Sequence, residues 1–299
     1  MRYGVFGDLP FARNQSENRM LVARLKQLRN ELSKKPRDIG GSIFLGNLND
    51  VYSAAMIFEM ERDFANANNL HIAGDGDNNF LARALEEAQD LVNRYRNLQA
   101  RIQRLQKLTE PVKEDRDQLA YDEREAAAYA RKVQLIKQLQ PFFTDLAGGG
   151  EAKRWEMLGG KFKALVTRAP AIFSRVCPEA MNNFPKLLRN KTNTAKLYEM
   201  MSKIGHNVLI LGGDNNPFYC QISEHNYDFK TLDLKAMGKD DTLIKMFFVD
   251  DDKVNVIVPG SLKNGFYAVL DTNEGGKLSI PQVSFCYLPD KSGDGEAYI

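Results

Sequence analysis

The chain has 299 residues, of which 43% are hydrophobic and 27% are charged, and its formal net charge is +2. This length and composition predict a globular protein that forms one large domain or two small ones. A net charge so close to zero excludes a general electrostatic attraction to nucleic acid or to acidic membranes.

The sequence has no sign of a membrane span, a secretory signal or a disulfide framework. No apolar stretch approaches the ~20 residues that cross a bilayer, and Arg13 and Asn14 interrupt the apolar run near the N-terminus. The three cysteines, Cys177, Cys220 and Cys286, are far apart and odd in number. We therefore expect a soluble protein of the cytoplasm or another reducing compartment; a secreted effector without a signal peptide is an alternative.

Residues 1–78 alternate between predicted strands and predicted helices. Short apolar runs predict the strands, and leucines at helical spacing predict the first helix, which Pro36 and Gly40-Gly41 are expected to separate from the next strand. The predicted strands are 3–6, 42–45 and 70–73, and the predicted helices are 18–32 and 54–64. This β-α-β-α-β order predicts a parallel sheet with helices packed against it.

Residues 79–146 carry apolar side chains at spacings of three and four, which predicts two long helices. Thr109-Glu110-Pro111 is expected to end the first helix and Pro141 the second, because proline cannot continue a helix interior. The two helices predict an inserted antiparallel helical hairpin or coiled coil. Its apolar residues Tyr95, Leu98 and Tyr129 are candidates for contact with a protein partner; alternatively they pack internally or cover a site.

Strands resume in residues 147–289, before a polar, glycine-rich tail at 290–299 that is expected to be flexible. The predicted elements are strands at 162–167, 208–211, 246–249, 254–258, 266–270 and 283–288 and a helix within 178–204. Strands 246–249 and 254–258 are expected to pair around the acidic turn 250–252. Residues 1–78 and 147–289 are thus expected to form one α/β domain that the hairpin interrupts.

Four turns that combine glycine with polar residues directly follow predicted strands. They read Gly7-Asp8-Leu9-Pro10, Gly46-Asn47-Leu48-Asn49-Asp50, Gly74-Asp75-Gly76-Asp77-Asn78 and Gly212-Gly213-Asp214-Asn215. Sites in α/β sheets are commonly built at the carboxyl ends of the strands. We therefore expect these turns to form one site.

The order, spacing and flanks of these turns resemble the calcineurin-like metallophosphoesterase superfamily. Later segments continue the resemblance in the family's order: Leu165-Val166-Thr167-Arg168-Ala169-Pro170, Val258-Pro259-Gly260-Ser261-Leu262 and Tyr267-Ala268-Val269-Leu270-Asp271. The resemblance covers the chain outside the hairpin and a stretch around 219–245. It implies an αββα sandwich of two mixed sheets flanked by helices, with a two-metal centre at the strand ends.

The chain departs from the family at nearly every metal ligand. Asp8 is the one family ligand that this resemblance carries over unchanged. Histidines of the family are replaced by Pro10, Gly76, Arg168, Gly213 and Asn215, its bridging aspartate by Asn47, and an asparagine by Asp75. The three histidines of the chain, His71, His206 and His225, align with no ligand position. These losses are expected to abolish two-metal binding, and Arg168 is expected to form an ion pair with Asp8.

Three functions follow from the resemblance and its departures. The first is a catalytically inactive pseudophosphatase that binds a protein partner as a scaffold and holds no metal or other cofactor. The second is an enzyme with a rebuilt site for Mg²⁺ or Mn²⁺, in which Asp8, Asp75, Asp77 and Asp214, or Asp8, Asn47 and Asp75, are the ligands. The third is a sensor that binds phosphate or a nucleotide through Arg168 and the glycine-rich turns. Each polar residue of the turns, Asp50 and Asn78 included, also has an ordinary role as a turn or helix cap.

Overall fold

The structure is a computed structural model, and it divides into two compact units. Unit 1 comprises residues 1–77 and 146–299, and unit 2 comprises residues 78–145. These boundaries lie one residue from those expected from the sequence. The residues that the structure describes are 1–9, 15–34, 39–48, 51–64, 68–74, 77–108, 112–148, 152–157, 161–168, 172, 188, 190–213, 216–230, 232, 243–272 and 280–289.

The helices and strands of the described residues follow in this order: β1 (Arg2–Phe6), α1 (Gln15–Ser33), β2 (Ile39–Phe44), α2 (Val51–Arg62), β3 (Leu70–His71), α3 (Asp77–Gln106), α4 (Lys113–Gly148), β4 (Ala152–Met157), β5 (Phe162–Arg168), α5 (Lys191–Lys203), β6 (Val208–Gly212), β7 (Phe218–Ile222), β8 (Tyr227–Lys230), β9 (Leu243–Phe248), β10 (Val254–Val258), the 3₁₀ turn η1 (Leu262–Asn264), β11 (Phe266–Asp271) and β12 (Gln282–Tyr287). None of the described helices has an apolar stretch long enough to cross a bilayer.

Unit 1 contains two mixed six-stranded sheets. The first has the strand order β3-β2-β1-β11-β12-β9 and the second β4-β5-β6-β10-β7-β8. Strands β1, β2 and β3 are parallel, as the β-α-β-α-β pattern predicts. Strands β5, β6 and β10 are also parallel to one another. The carboxyl ends of β1, β2 and β3 therefore lie at one end of the first sheet, and those of β5, β6 and β10 lie at one end of the second.

The two sheets pack face to face through one continuous apolar core. Val5 and Ile43 of the first sheet belong to the same buried cluster as Val166 and Ile210 of the second. On the other face of the second sheet, α5 packs its leucine and methionine side chains against the strands. On the other face of the first sheet, α1 lies so close to β1 that a Cβ on Gly4 would be 2.8 Å from Leu32 Cδ1. The layers are therefore helix, sheet, sheet, helix.

The predicted pairing of strands 246–249 and 254–258 is wrong. Strand β9 pairs with β12 in the first sheet, whereas β10 lies between β6 and β7 in the second. The acidic turn that joins them crosses from one sheet to the other, and Asn255 anchors it: its Oδ1 accepts from Asp250 N at 3.0 Å and its Nδ2 donates to Lys253 O at 2.9 Å. Two strands that are consecutive in sequence have the same apolar pattern whether they pair with each other or lie in different sheets. The sequence pattern therefore did not distinguish the two arrangements.

Two further predictions about elements are corrected. Gly40 and Gly41 lie inside β2 instead of before it, and a Cβ on Gly41 would collide with the Asn68 carbonyl, so glycine here allows a close backbone approach. Helix α4 continues through Pro141 to Gly148, and Phe142, Phe143 and Leu146 beyond the proline are buried. This burial offsets the hydrogen bond that proline removes. Strands β4, β7 and β8 were not predicted.

Unit 2 is an antiparallel helical hairpin of α3 and α4. The end of α3 contacts the start of α4. Arg101 forms an ion pair with Asp122, and Gln106 donates a hydrogen bond to Glu123. Leu98 is buried, whereas Tyr95 and Tyr129 are half-buried. Their hydroxyls contact Gln99 and Glu125 of their own helices. Of the three candidate partner positions, Leu98 therefore packs internally.

Replacing Asn255 with alanine should lower the free energy of unfolding by about 2–3 kcal/mol, because it leaves buried polar groups without partners. Asn255 is fully buried, and besides anchoring the turn it accepts from Tyr219 Oη at 2.7 Å. Urea denaturation of Asn255→Ala and of the exposed control Asn93→Ala would measure this. Equal midpoints for the two variants would contradict a role for Asn255 in anchoring the turn.

Candidate functional site

Five of the site residues predicted from the sequence meet at the carboxyl ends of the strands in unit 1. Asp8 follows β1, Asn47 follows β2, and Gly213 follows β6. Arg168 is the last residue of β5, and Asp77 is the first residue of α3, after the loop that leaves β3. Hydrogen bonds join these residues into one cluster, which we call the strand-end cluster.

The Asp8 carboxylate lies at the centre of the strand-end cluster. Its Oδ1 accepts a hydrogen bond from Asn47 Nδ2 at 2.6 Å and lies 3.2 Å from a terminal nitrogen of the Arg168 guanidinium. Its Oδ2 accepts from the backbone N–H of Gly213 at 2.8 Å. The ion pair between Asp8 and Arg168 that the sequence predicted is therefore present.

Arg168 is held as tightly as its partner. Its side chain is 7% exposed, and the nitrogen that contacts Asp8 also donates to the Leu45 carbonyl at 2.7 Å. Its Nε has no hydrogen-bond acceptor among the described residues. Burial of a guanidinium is unfavourable unless a carboxylate and further acceptors surround it. Asp8 and Leu45 supply that environment from the other sheet.

The Asp77 carboxylate binds the second and third loops together. It accepts hydrogen bonds from the backbone N–H groups of Asn47 at 2.8 Å, Leu48 at 2.6 Å and Gly74 at 2.7 Å. Asp77 is fully buried. Burial raises the pKa of its carboxyl group above the ordinary value, and the three N–H donors and the Arg168 charge oppose that increase. Asp77 is thus an acceptor that shapes the loops.

Two residues of the loops other than glycine have a left-handed backbone conformation. Asp8 and Asn47 have positive φ angles of 55° and 61°, a conformation that Asp and Asn tolerate better than most side chains. A Cβ on Gly212 would lie 2.7 Å from Leu45 Cβ, so the loop after β6 needs glycine to approach β2. Asp8 N donates to Gly46 O at 2.9 Å, which ties the first loop to the second. The loops therefore support one another.

These residues do not fit a two-metal centre. A metal-binding carboxylate must direct free lone pairs at the ion. In the strand-end cluster, both oxygens of Asp8 and both oxygens of Asp77 already accept from N–H donors. Asn47 presents an N–H group to Asp8, and the Arg168 cation adjoins the same carboxylate. Positive hydrogens therefore surround both carboxylates, and a divalent cation would have to displace them.

The three histidines of the chain have partners outside the strand-end cluster. His71 Nε2 lies 2.8 Å from Glu61 Oε1, and Ser42 donates to the same oxygen, so that α2, β2 and β3 share a buried polar contact. His206 Nδ1 lies 2.7 Å from the Ile204 carbonyl. His225 is exposed beside Glu224. None of these contacts involves Asp8, Asn47 or Asp77.

Part of the predicted site lies outside the described residues. This applies to Pro10, Asp50, Asp75, Gly76, Asp214, Asn215 and the side chain of Asn78. Sequence reasoning also missed Ser261, whose hydroxyl donates to the Asp8 carbonyl at 3.0 Å. Its segment, Val258-Pro259-Gly260-Ser261-Leu262, was part of the family resemblance, and the position of Ser261 directly after β10 was the signal that pointed to the same sheet edge.

No protein-family model matches the sequence, and no curated protein shows significant similarity to it. The fold is mixed α/β, and its loops form a polar cluster at the strand ends. Its function has to be inferred from the contacts of that cluster and from the order of its motifs.

Replacing Asp77 with asparagine should lower the free energy of unfolding by about 1–3 kcal/mol, because the amide has one acceptor oxygen and its NH₂ group would face a backbone N–H. The loss should be largest in acid. A carboxyl whose pKa is raised on folding adds stability that is complete below its unfolded pKa and disappears as pH rises through the folded value. Urea denaturation of both proteins from pH 4 upward would test this; a difference that grows with pH would contradict it.

The effects of removing the two partners of the ion pair should not be additive. Arg168→Met leaves a buried carboxylate and Asp8→Asn leaves a buried guanidinium, so each should lower the free energy of unfolding by about 3–5 kcal/mol. The double variant should be less destabilised than the sum of the two by about 1–3 kcal/mol.

A double-mutant cycle from denaturation curves would measure this coupling. The control is Lys203→Met, which breaks the exposed pair with Glu199 within α5 and should leave stability almost unchanged. Strict additivity of the Asp8 and Arg168 substitutions would mean that the two charges do not stabilise each other.

Proposed function

We propose that this protein is a catalytically inactive relative of the metallophosphoesterases, a pseudophosphatase, and that it acts as a protein-binding scaffold. The observation that carries the proposal is the environment of Asp8, the family ligand retained here. Its carboxylate is neutralised by Arg168 and saturated by Asn47 and Gly213. An internal cation and N–H donors take the role that two metals have in the family.

The resemblance supports the proposal through the arrangement of the loops. Its motifs fall after β1, β2, β3, β5, β6 and β10, and the described members of this set converge on one polar cluster. Two-metal hydrolysis needs ions that clamp the phosphate and activate a water. Asn47 and Arg168 stand at positions where the family has a bridging aspartate and a histidine. The chain thus keeps the loop framework and lacks the groups that give the framework its chemistry.

Among the described residues, the contacts of the cluster favour neither alternative function. A single Mg²⁺ or Mn²⁺ would need lone pairs of Asp8 and Asp77 that accept hydrogen bonds here. A phosphate sensor would need free backbone N–H groups. The N–H groups of Asn47, Leu48 and Gly74 bind Asp77, and that of Gly213 binds Asp8.

The scaffold part of the proposal is supported by unit 2. Unit 2 is a hairpin whose helices have 30 and 36 residues. It also exposes large apolar side chains at Leu108, Val112 and Tyr121. Exposed apolar residues that cluster on one element are typical of protein interaction surfaces.

Elemental analysis and hydrolysis assays should find neither stoichiometric metal nor enzymatic activity. The purified protein would be assayed with p-nitrophenyl phosphate and bis-p-nitrophenyl phosphate in Mn²⁺, with Asp8→Ala as the matched control. Because Asp8 is neutralised by Arg168, we expect the same background turnover for both proteins and no shift of Tm with Mn²⁺. Bound metal together with turnover that depends on Asp8 would overturn the proposal and establish a rebuilt active site.

A further inference from the structure

Strand β9 lies at one edge of the first sheet of unit 1. It pairs with β12 on one side, and no described strand pairs with its other side. An edge strand leaves a row of backbone N–H and C=O groups that can hydrogen-bond to a further strand. The Phe248 carbonyl at the end of β9 accepts from Tyr219 Oη at 2.9 Å, so the row available for pairing is that of residues 243–247.

The other three edge strands of the two sheets, β3, β4 and β8, have features that discourage such pairing. Strand β3 has only two residues. Strand β4 has three charged residues among six, and β8 has two among four. Short length and charged side chains are the usual protection of a sheet edge. Strand β9 has six residues and one charge, so it is the least protected of the four edge strands.

Strand β9 also exposes large apolar side chains. Met246 is 47% exposed and Phe248 51%. Phe247 is buried in the core between the sheets, so its neighbours Met246 and Phe248 point to the other face of the sheet. The residues directly opposite them on β12 are Ser284 and Gln282, which are polar. Apolar side chains on an added strand would therefore give Met246 and Phe248 the neighbours that β12 does not supply.

The charge on β9 distinguishes between possible occupants of the edge. Lys245 is exposed, and its Nζ lies 5.4 Å from the centre of the Phe247 ring. Because β9 has no carboxylate, a second copy of β9 would bring a like charge to the edge, which is unfavourable between neighbouring strands. An acidic residue on the added strand would instead form an opposite-charge pair with Lys245. The charge therefore favours a segment of another protein over a second copy of this chain.

We infer that β9 binds an extended segment of a partner protein, which adds a seventh strand to the first sheet. Backbone hydrogen bonds to residues 243–247 hold the segment, and its side chains determine specificity. The segment has two apolar residues two positions apart, opposite Met246 and Phe248, and an acidic residue next to one of them, opposite Lys245. This inference goes beyond the proposed function, because strand addition does not depend on whether the strand-end cluster binds metal.

Selection from a phage-displayed library of random peptides, each about ten residues long to match the length of ordinary strands, would identify such segments. The full chain would be the bait, after removal of the peptides that bind Met246→Lys. We expect the enriched peptides to share two apolar residues two positions apart with an acidic residue next to one of them. No enrichment, or enriched peptides without this pattern, overturns the inference.

Fluorescence polarisation of a selected peptide would test the contacts. Met246→Lys should weaken binding at least about tenfold, whereas Val112→Lys, at a 58% exposed position of unit 2, should leave it unchanged. Lys245→Glu should also weaken binding, and a peptide with lysine in place of its acidic residue should bind Lys245→Glu again. Circular dichroism would check that the variants are folded. Binding that ignores Met246→Lys, or that the exchange of charges does not restore, overturns the inference.

Methylation of backbone amides in the peptide would distinguish strand addition from side-chain contact alone. In a paired strand, alternate residues direct their N–H groups at the neighbouring strand. Methylation of one alternate set should therefore abolish binding, and methylation of the other set should have much less effect. Equal effects of the two sets overturn strand addition.

Light scattering of the free chain would test the second copy as an occupant. A dimer that Met246→Lys dissociates would mean that β9 pairs with itself, and it would overturn the inference. Neither the peptide results nor the light scattering alters the metal and hydrolysis results, so the inference and the proposed function fail separately.

Discussion

The buried carboxylate of Asp8 is the constraint to which the rest of the strand-end cluster conforms. A carboxylate in this position needs a positive charge and hydrogen-bond donors around it, since burial without them costs several kcal/mol. Arg168 supplies the charge from β5, and Asn47 and Gly213 supply donors from the loops after β2 and β6. One carboxylate thus fixes the relative positions of loops from both sheets.

The geometry of the backbone explains why these loops can meet. The positive φ angles of Asp8 and Asn47 turn each loop sharply after its strand, and Gly212 permits the approach of the second sheet to Leu45. Asp77 then satisfies three backbone N–H groups that the sharp turns leave without a carbonyl partner. The sharp turns therefore bring the loops together, and the carboxylates of Asp8 and Asp77 accept hydrogen bonds from the backbone N–H groups of these loops.

Sequence reasoning predicted the features that depend on local patterns. The parallel strands β1 to β3 follow from apolar runs separated by helices. The Asp8–Arg168 pair joins residues 160 positions apart, and it was expected from the family resemblance, which placed both residues in one site. Features that depend on tertiary context could not be read in the same way. The sheet crossing between β9 and β10 and the passage of α4 through Pro141 are set by packing against distant residues. The role of Asp77 depends on backbone N–H groups, which no side-chain pattern reveals.

A buried carboxylate that is neutralised by an arginine of the same chain differs from one that is neutralised by a bound metal ion. A protein whose loops are held by metal gains stability from the ion and loses it when the ion is removed. Here the neutralising charge is covalently part of β5, so the loops can hold their shape at any metal concentration.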